Sequence, residues 1–309
     1  MSKFFNSSRQ GQESTEWESK RNVSLPELDV LLTEMPESSG ADVPMVQVPG
    51  GFQFNGSLKE FEFRAAEEKI RKGTGEYRRV QLAKNSKVLL PDDNLSDLRS
   101  DSYRRIRTRL IQQRSNMGFH VVAITSSIPG EGKTLTAINL ALCCSQLADF
   151  KVFLIDADLR TRGCSNALGI NSGPGLAEVL TSVATCSDAI AVTDQPNFYV
   201  MSAGDAKLPA PELFASSAWT EFATWAGRHF DLVIVDAPPV LPVPDFELIG
   251  AGCERVIIVA RPFVSRNEDL ERTLARIERQ KFAGVVMNGS ESGTRSYYYK
   301  QEYASRNSK

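Results

Sequence analysis

From His120 onward the chain repeats one alternation. Short apolar runs, "HVVAIT", "KVFLIDAD", "NFYVMSA", "DLVIVDAPP", "RVIIVARP" and "AGVVMN", are rich in β-branched residues and apolar on both faces. Between them lie longer stretches with helical character: "TLTAINLALCCSQLA", "GLAEVLTS", "PELFASSAWTEFATWAGRHF" and "NEDLERTLARIERQ". Strands that carry no polar face and alternate with helices predict a mostly parallel sheet wrapped by helices, an α/β fold. Upstream, "LPDDNLSDLRSDSYRRIRTRLIQQRSN" predicts a helix beginning near Asp93 or Asn94, with acidic and Asn residues first and Arg later, as the helix dipole favours. Residues 1–88 break the pattern. "VPMVQVPGGFQF" allows a strand or turn and "SLKEFEFRAAEEKIRKG" a helix, but no periodicity links them, so the region reads as largely disordered or loosely attached. The expected organisation is a low-order N-terminal region over 1–88, an α/β domain over 89–290 and a tail over 291–309.

Composition narrows the classes. The 309 residues are 41% hydrophobic and 24% charged, with a net charge of -2, which argues against a dedicated nucleic-acid binder. The longest apolar runs fall far short of the ~20 residues of a membrane span. "MSKFFNSSRQGQ" lacks the apolar centre of a secretory signal. A cytoplasmic location is expected, with any membrane role supplied by a partner. The five cysteines form no CxxC pair and are odd in number, which points to neither a zinc site nor a disulfide framework.

The chemistry starts where the first run ends. Ser126-Ser127-Ile128-Pro129-Gly130-Glu131-Gly132-Lys133-Thr134-Leu135 nearly matches the phosphate-binding loop G-x-x-x-x-G-K-[ST], with Ser127 at the first Gly. Gly130 and Gly132 let backbone N–H groups turn around phosphate oxygens, and the following helix offers its positive end. Lys133 can reach the β- and γ-phosphates of ATP, and the Thr134 hydroxyl can bind Mg²⁺. Two later runs end in carboxylates, Asp156 and Asp158 in one and Asp236 in the other. Each alone reads equally as a turn or cap residue. Together at strand carboxyl ends, beside a phosphate loop, they supply hard oxygens for Mg²⁺ and a carboxylate base for a hydroxyl nucleophile.

The tail poses a separate question. Four of the seven tyrosines, Tyr297, Tyr298, Tyr299 and Tyr303, fall in the last thirteen residues among Lys, Gln, Glu, Ser, Arg and Asn. A polar tail with a chance cluster is one reading.

"SSIPGEGKT", "VFLIDADLR" and "FDLVIVDAPPVLPVPD" together resemble the Walker A, A′ and B motifs of the bacterial tyrosine autokinases of capsule and exopolysaccharide synthesis. The resemblance runs from about Asp101 to the C-terminus. It implies a P-loop NTPase-like fold and ATP-dependent transfer to the tail tyrosines of a neighbouring subunit, which would regulate polysaccharide synthesis or export. It implies nucleotide contacts from Pro129 through Leu135, Mg²⁺ held by Thr134, Asp158 and Asp236, and Asp156 as base. "PAPELF" resembles the family's proline–glutamate–leucine segment, and Asn288 matches an asparagine near the adenine. Asp101, Arg104 and Arg107 match the family's ExxRxxR motif, which packs subunits into a ring. Their spacing places all three on one helical face, which suits pairing with another subunit; a solvated surface and a phosphate or nucleic-acid contact are the other readings. Arg160 either assists the phosphates or sits in a surface ion pair. A membrane-embedded polysaccharide co-polymerase or adaptor, supplying an activating cytoplasmic tail, is the implied partner and would recruit the chain to the inner face of the plasma membrane.

Three departures stand out. Asp101 replaces Glu, Ser127 replaces Gly, and residues 1–88 match nothing in the pattern. Two other readings compete. In a partition or septum-positioning ATPase the signature lysine of K-G-G-x-G-K-T would fall at Ile128, and the tyrosines would have no purpose. In a non-enzymatic nucleotide-binding scaffold the tail would only bind partners.

Overall fold

In the computed structural model, residues 77–84, 87–89 and 98–289 are described. The six apolar runs form strands: β2 (Val121–Ser126), β3 (Val152–Asp156), β5 (Phe198–Met201), β6 (Leu232–Asp236), β7 (Arg255–Ala260) and β8 (Phe282–Met287). With β1 (Arg78–Val80) and β4 (Ile190–Thr193) they make an eight-stranded sheet in the order β1-β4-β5-β3-β6-β2-β7-β8. Every pairing is parallel except β4 with β5. The predicted α/β architecture is what the chain adopts.

Side chains alternate across the pleat and build two cores. Val121, Ala123, Phe153, Ile155, Val233 and Val235 face one layer, while Val122, Ile124, Val152, Leu154, Leu232 and Ile234 face the other. The second layer is filled by α2 (Lys133–Ser145), and α1 (Leu98–Met117) adds Leu110 to it. The short helix α3 (Gly163–Leu168) adds Cys164 and Leu168. The first layer takes α4 (Leu176–Leu180), α5 (Cys186–Ala189), α6 (Ala210–Phe214), α7 (Ser217–His229) and α8 (Asp245–Ala251), anchored by Trp219 and Phe222. α9 (Asn267–Leu274) joins β7 to β8.

Three details differ from the expectation. The long helix predicted from "PELFASSAWTEFATWAGRHF" is two, because Ser216 adopts an extended backbone and its hydroxyl donates to the Leu213 carbonyl at 2.7 Å. The helix predicted over "NEDLERTLARIERQ" ends at Leu274, and Arg279–Lys281 forms one 3₁₀ turn. The sheet also takes in chain from the N-terminal side of residue 88. Arg78–Val80 pairs with Ala191–Thr193, and Leu82 and Val88 are buried in the α2 layer. The Leu89 N–H donates to Asn139 Oδ1 at 2.9 Å, and Asn139 Nδ2 donates back to the Lys87 carbonyl. The start expected near Asp93 or Asn94, the rest of residues 1–88 and the tail tyrosines lie outside the described residues.

Candidate active site

Register decides where the chemistry sits. β2, β6 and β3 are neighbours, Ile124 pairs with Asp236, and Asp236 pairs with Asp156. Both carboxylates therefore stand side by side at the carboxyl ends of adjacent parallel strands, where α/β sheets bind ligands. β2 ends at Ser126 and turns through the loop into α2.

The loop needs its glycines. Gly130 and Gly132 have φ of 88° and 95°, and a Cβ on Gly132 would lie 1.9 Å from Asn288 Nδ2. Asn288 itself is fixed at the end of β8, where its amide donates to the Glu131 carbonyl at 2.9 Å and its N–H to the Ala260 carbonyl. The Glu131 side chain is buried inside the loop. It accepts the Ile128 N–H at 2.9 Å and a short hydrogen bond from the Ser265 hydroxyl. Arg261 closes the same corner: its guanidinium reaches the Gly130 carbonyl and its N–H donates to Ser265. Leu135 packs into the α2 layer, whereas Pro129 is exposed at the loop's tip.

The charged groups converge on Lys133. Its ammonium lies 2.8 Å from Asp158 Oδ2, 3.5 Å from Asp236 Oδ1 and 3.1 Å from the Thr134 hydroxyl. Asp156, Asp158, Asp236 and Lys133 are all buried. Burial pulls the Lys133 pKa down, but the charges of Asp236 and Asp158 outweigh it and hold it above the usual lysine value. Burial pushes Asp158 up, yet Lys133 overrides it and keeps this carboxyl below the usual range. Asp236 is pushed up by burial in spite of Lys133. Asp156 is pushed up by burial and then by the charge of Asp236, against two hydrogen bonds from Ser165. One ammonium thus pairs with two buried carboxyls, and Asp156 stands beside Asp236 outside that pair. Two carboxyls, Asp158 and Asp236, with the Thr134 hydroxyl beside them, are the few hard oxygens a divalent cation beside a phosphate takes from protein, and the residues present fit that group.

Sequence reasoning found the loop and the three aspartates, and the structure brings them together. It left Arg160 open: the guanidinium makes a bidentate pair with Asp245 at 2.7 and 2.9 Å. It missed α3 altogether. Asp156 Oδ2 accepts the Ser165 N–H at 2.8 Å and the Ser165 hydroxyl at 2.7 Å. Cys164 Sγ lies 3.4 Å from Asp236 Oδ2, and Gly163 packs on Thr134. On α1 the proposed subunit motif divides. Arg104 pairs with Asp101 at 2.7 Å on its own helix, while Arg107 turns inward and donates to the Cys143 carbonyl of α2 at 2.8 Å.

The family model described as an AAA domain matches residues 119–282. The tyrosine-protein kinase YwqD of Bacillus subtilis is 32% identical over 203 residues, taking in 65% of this chain and 85% of that protein. The chain belongs to the bacterial tyrosine-protein kinase family. The tyrosine-protein kinase wzc of Salmonella typhimurium is 29% identical over 86% of this chain but 37% of its own length, so the chain spans a little over a third of that relative. That alignment takes in more of the chain than residues 89–309 can supply, so it runs into the N-terminal region that matched nothing by motif. The kinase domain of Escherichia coli tyrosine kinase ETK superposes with a TM-score of 0.61 at 26% identity, over 72% of this chain and 92% of that one. The family's P-loop fold implies nucleotide binding. Among the described residues, no helix is long and apolar enough to cross a membrane.

Proposed function

We propose that the chain is an ATP-dependent protein-tyrosine autokinase that phosphorylates Tyr297, Tyr298, Tyr299 and Tyr303 of a neighbouring copy and thereby regulates capsule or exopolysaccharide synthesis. The observation that carries the reading is the convergence of the Lys133 ammonium and the carboxyls of Asp156, Asp158 and Asp236 at the mouth of the loop, in a chain of this family. Lys133 and the loop from Pro129 to Leu135 hold the triphosphate, with Asn288 at the adenine side. Thr134, Asp158 and Asp236 would hold Mg²⁺, which would supply charge neutralisation at the phosphates. Lys133 is drawn from its carboxylate partners to the phosphates and stabilises charge as the γ-phosphoryl moves. Asp156, outside the Lys133 pair, orients the incoming phenol and takes its proton late, since a free tyrosine has a pKa near 10. The tail must come from another subunit packed through α1, with Asp101, Arg104 and Arg107 at or behind that face. A membrane-embedded adaptor would supply the activating tail and the membrane address. Each phosphate adds a charge of about -2, so modified tails would loosen such an assembly.

Incubation of the full chain with Mg·ATP, beside a Lys133→Met variant, tests this by mass spectrometry. Phosphate on the tail tyrosines that vanishes in the variant is expected. ATP hydrolysis with an unmodified tail would favour a positioning ATPase, and neither activity, also when a candidate membrane partner is added, would favour a scaffold.

A further inference from the structure

The three aspartates are not held alike. Asp158 is fixed by Lys133 and by the Thr161 N–H at 3.1 Å, and Asp236 faces Lys133 and Cys164. Asp156 is fixed by Ser165. Both Ser165 donors converge on one oxygen, Oδ2, while Oδ1 is buried and meets no hydrogen-bond donor among the described residues. The Ser165 hydroxyl is itself locked. It accepts the Ala203 N–H at 3.0 Å while its own proton goes to Asp156. An orphaned, buried carboxylate oxygen is costly and is rarely kept without a purpose.

We propose that Ser165 is the positioning residue for Asp156. It clamps Oδ2 and leaves Oδ1, the oxygen that no donor among the described residues holds, as the one that meets the acceptor hydroxyl. This rests on the reading of Asp156 as the base. In the step it serves, the tyrosine O–H proton passes to Asp156 Oδ1 and the phenolic oxygen bonds to the γ-phosphorus. The bond from that phosphorus to the β–γ bridging oxygen breaks, and its electron pair leaves on ADP. Ser165 exchanges no proton. It removes the rotation of the carboxyl that would otherwise have to be frozen in the transition state.

The test measures tail phosphotyrosine formed by the full chain across a range of Mg·ATP concentrations up to saturation in four proteins: wild type, Ser165→Ala, Asp156→Asn and the double variant. Loss of a charge-assisted hydrogen bond that acts in the transition state predicts a kcat roughly 10–100-fold lower for Ser165→Ala, with the KM for ATP held within about twofold. Asp156→Asn falls at least as far, and adding Ser165→Ala to it lowers the rate no further. Thermal melts run alongside, because the substitution also strands the Ala203 N–H. A merely structural loss would depress the rate by the same factor in both backgrounds. An equal penalty in both, or an unchanged kcat in Ser165→Ala, overturns the role of Ser165 and leaves Asp156 standing. Full transfer by Asp156→Asn overturns the base itself, as does no transfer by the wild type when a membrane adaptor's cytoplasmic tail is added.

Discussion

The two longest helices on the α2 face of the sheet are built on opposite terms. In α2, eleven of the thirteen residues from Lys133 to Ser145 are buried. In α1, twenty residues long, Leu110 is the one buried side chain among those described. Tyr103 and Ile106 are only partly covered, and five arginines stand between Arg99 and Arg109. α2 is apolar nearly all round because it lies between the sheet and α1, and its first turn carries the phosphate loop. α1 closes that layer with a narrow stripe and with polar contacts, among them the Arg107 bond to Cys143. That carbonyl lies in the last turn of α2, where orphan acceptors and the dipole both favour a cation. The difference separates a helix that must not move from one whose outer surface is available.

Truncating one side chain in each helix separates the two. Leu140, fully buried in α2, should cost about 2–5 kcal/mol of unfolding free energy when replaced by alanine, and Arg105→Ala on exposed α1 should stay within about 0.5 kcal/mol. Denaturant unfolding reads both. Equal losses would mean that α1 is as deeply integrated as α2. Next in size is Leu110→Ala, expected at the low end of that range, about 2–3 kcal/mol, because a helix at the layer's edge can settle into the space. Arg107→Ala should follow at about 1–2 kcal/mol through the lost bond to the Cys143 carbonyl, with the ATP-binding affinity unchanged.

The same contrast explains what could be read from the chain. α2 and the central strands were legible because local pattern and tertiary burial agree: a run with no polar face can only be interior. The aspartates were legible for the same reason, as the first polar residues after such runs. What escaped was held by partners distant in sequence. Arg78–Val80 has no strand signature of its own and is a strand because it pairs with residues past Ile190. Gly163–Leu168 has no apolar period, yet it supplies Ser165 to Asp156. Ser265 braces Glu131 from 134 residues away. Resemblance named the residues that would meet the nucleotide; the residues that aim them lie between the motifs, where no spacing marks them.

The smallest change in stability carries the largest question about assembly. Asp101 and Arg104 form an exposed pair three residues apart on one helix, a class that contributes less than about 0.5 kcal/mol. Asp101→Lys should therefore leave the melting temperature where it was. Arg107, committed to α2, stays in place and keeps α1 seated. If the outer face of α1 is where copies meet, the same substitution sets a like charge against Arg104 and removes the acceptor from the seam. The mass measured by light scattering should then fall toward the monomer, and tail phosphorylation, which needs a neighbour, should fall with it. A variant that melts like the wild type and keeps its mass would return this helix face to solvent and place the subunit contact elsewhere.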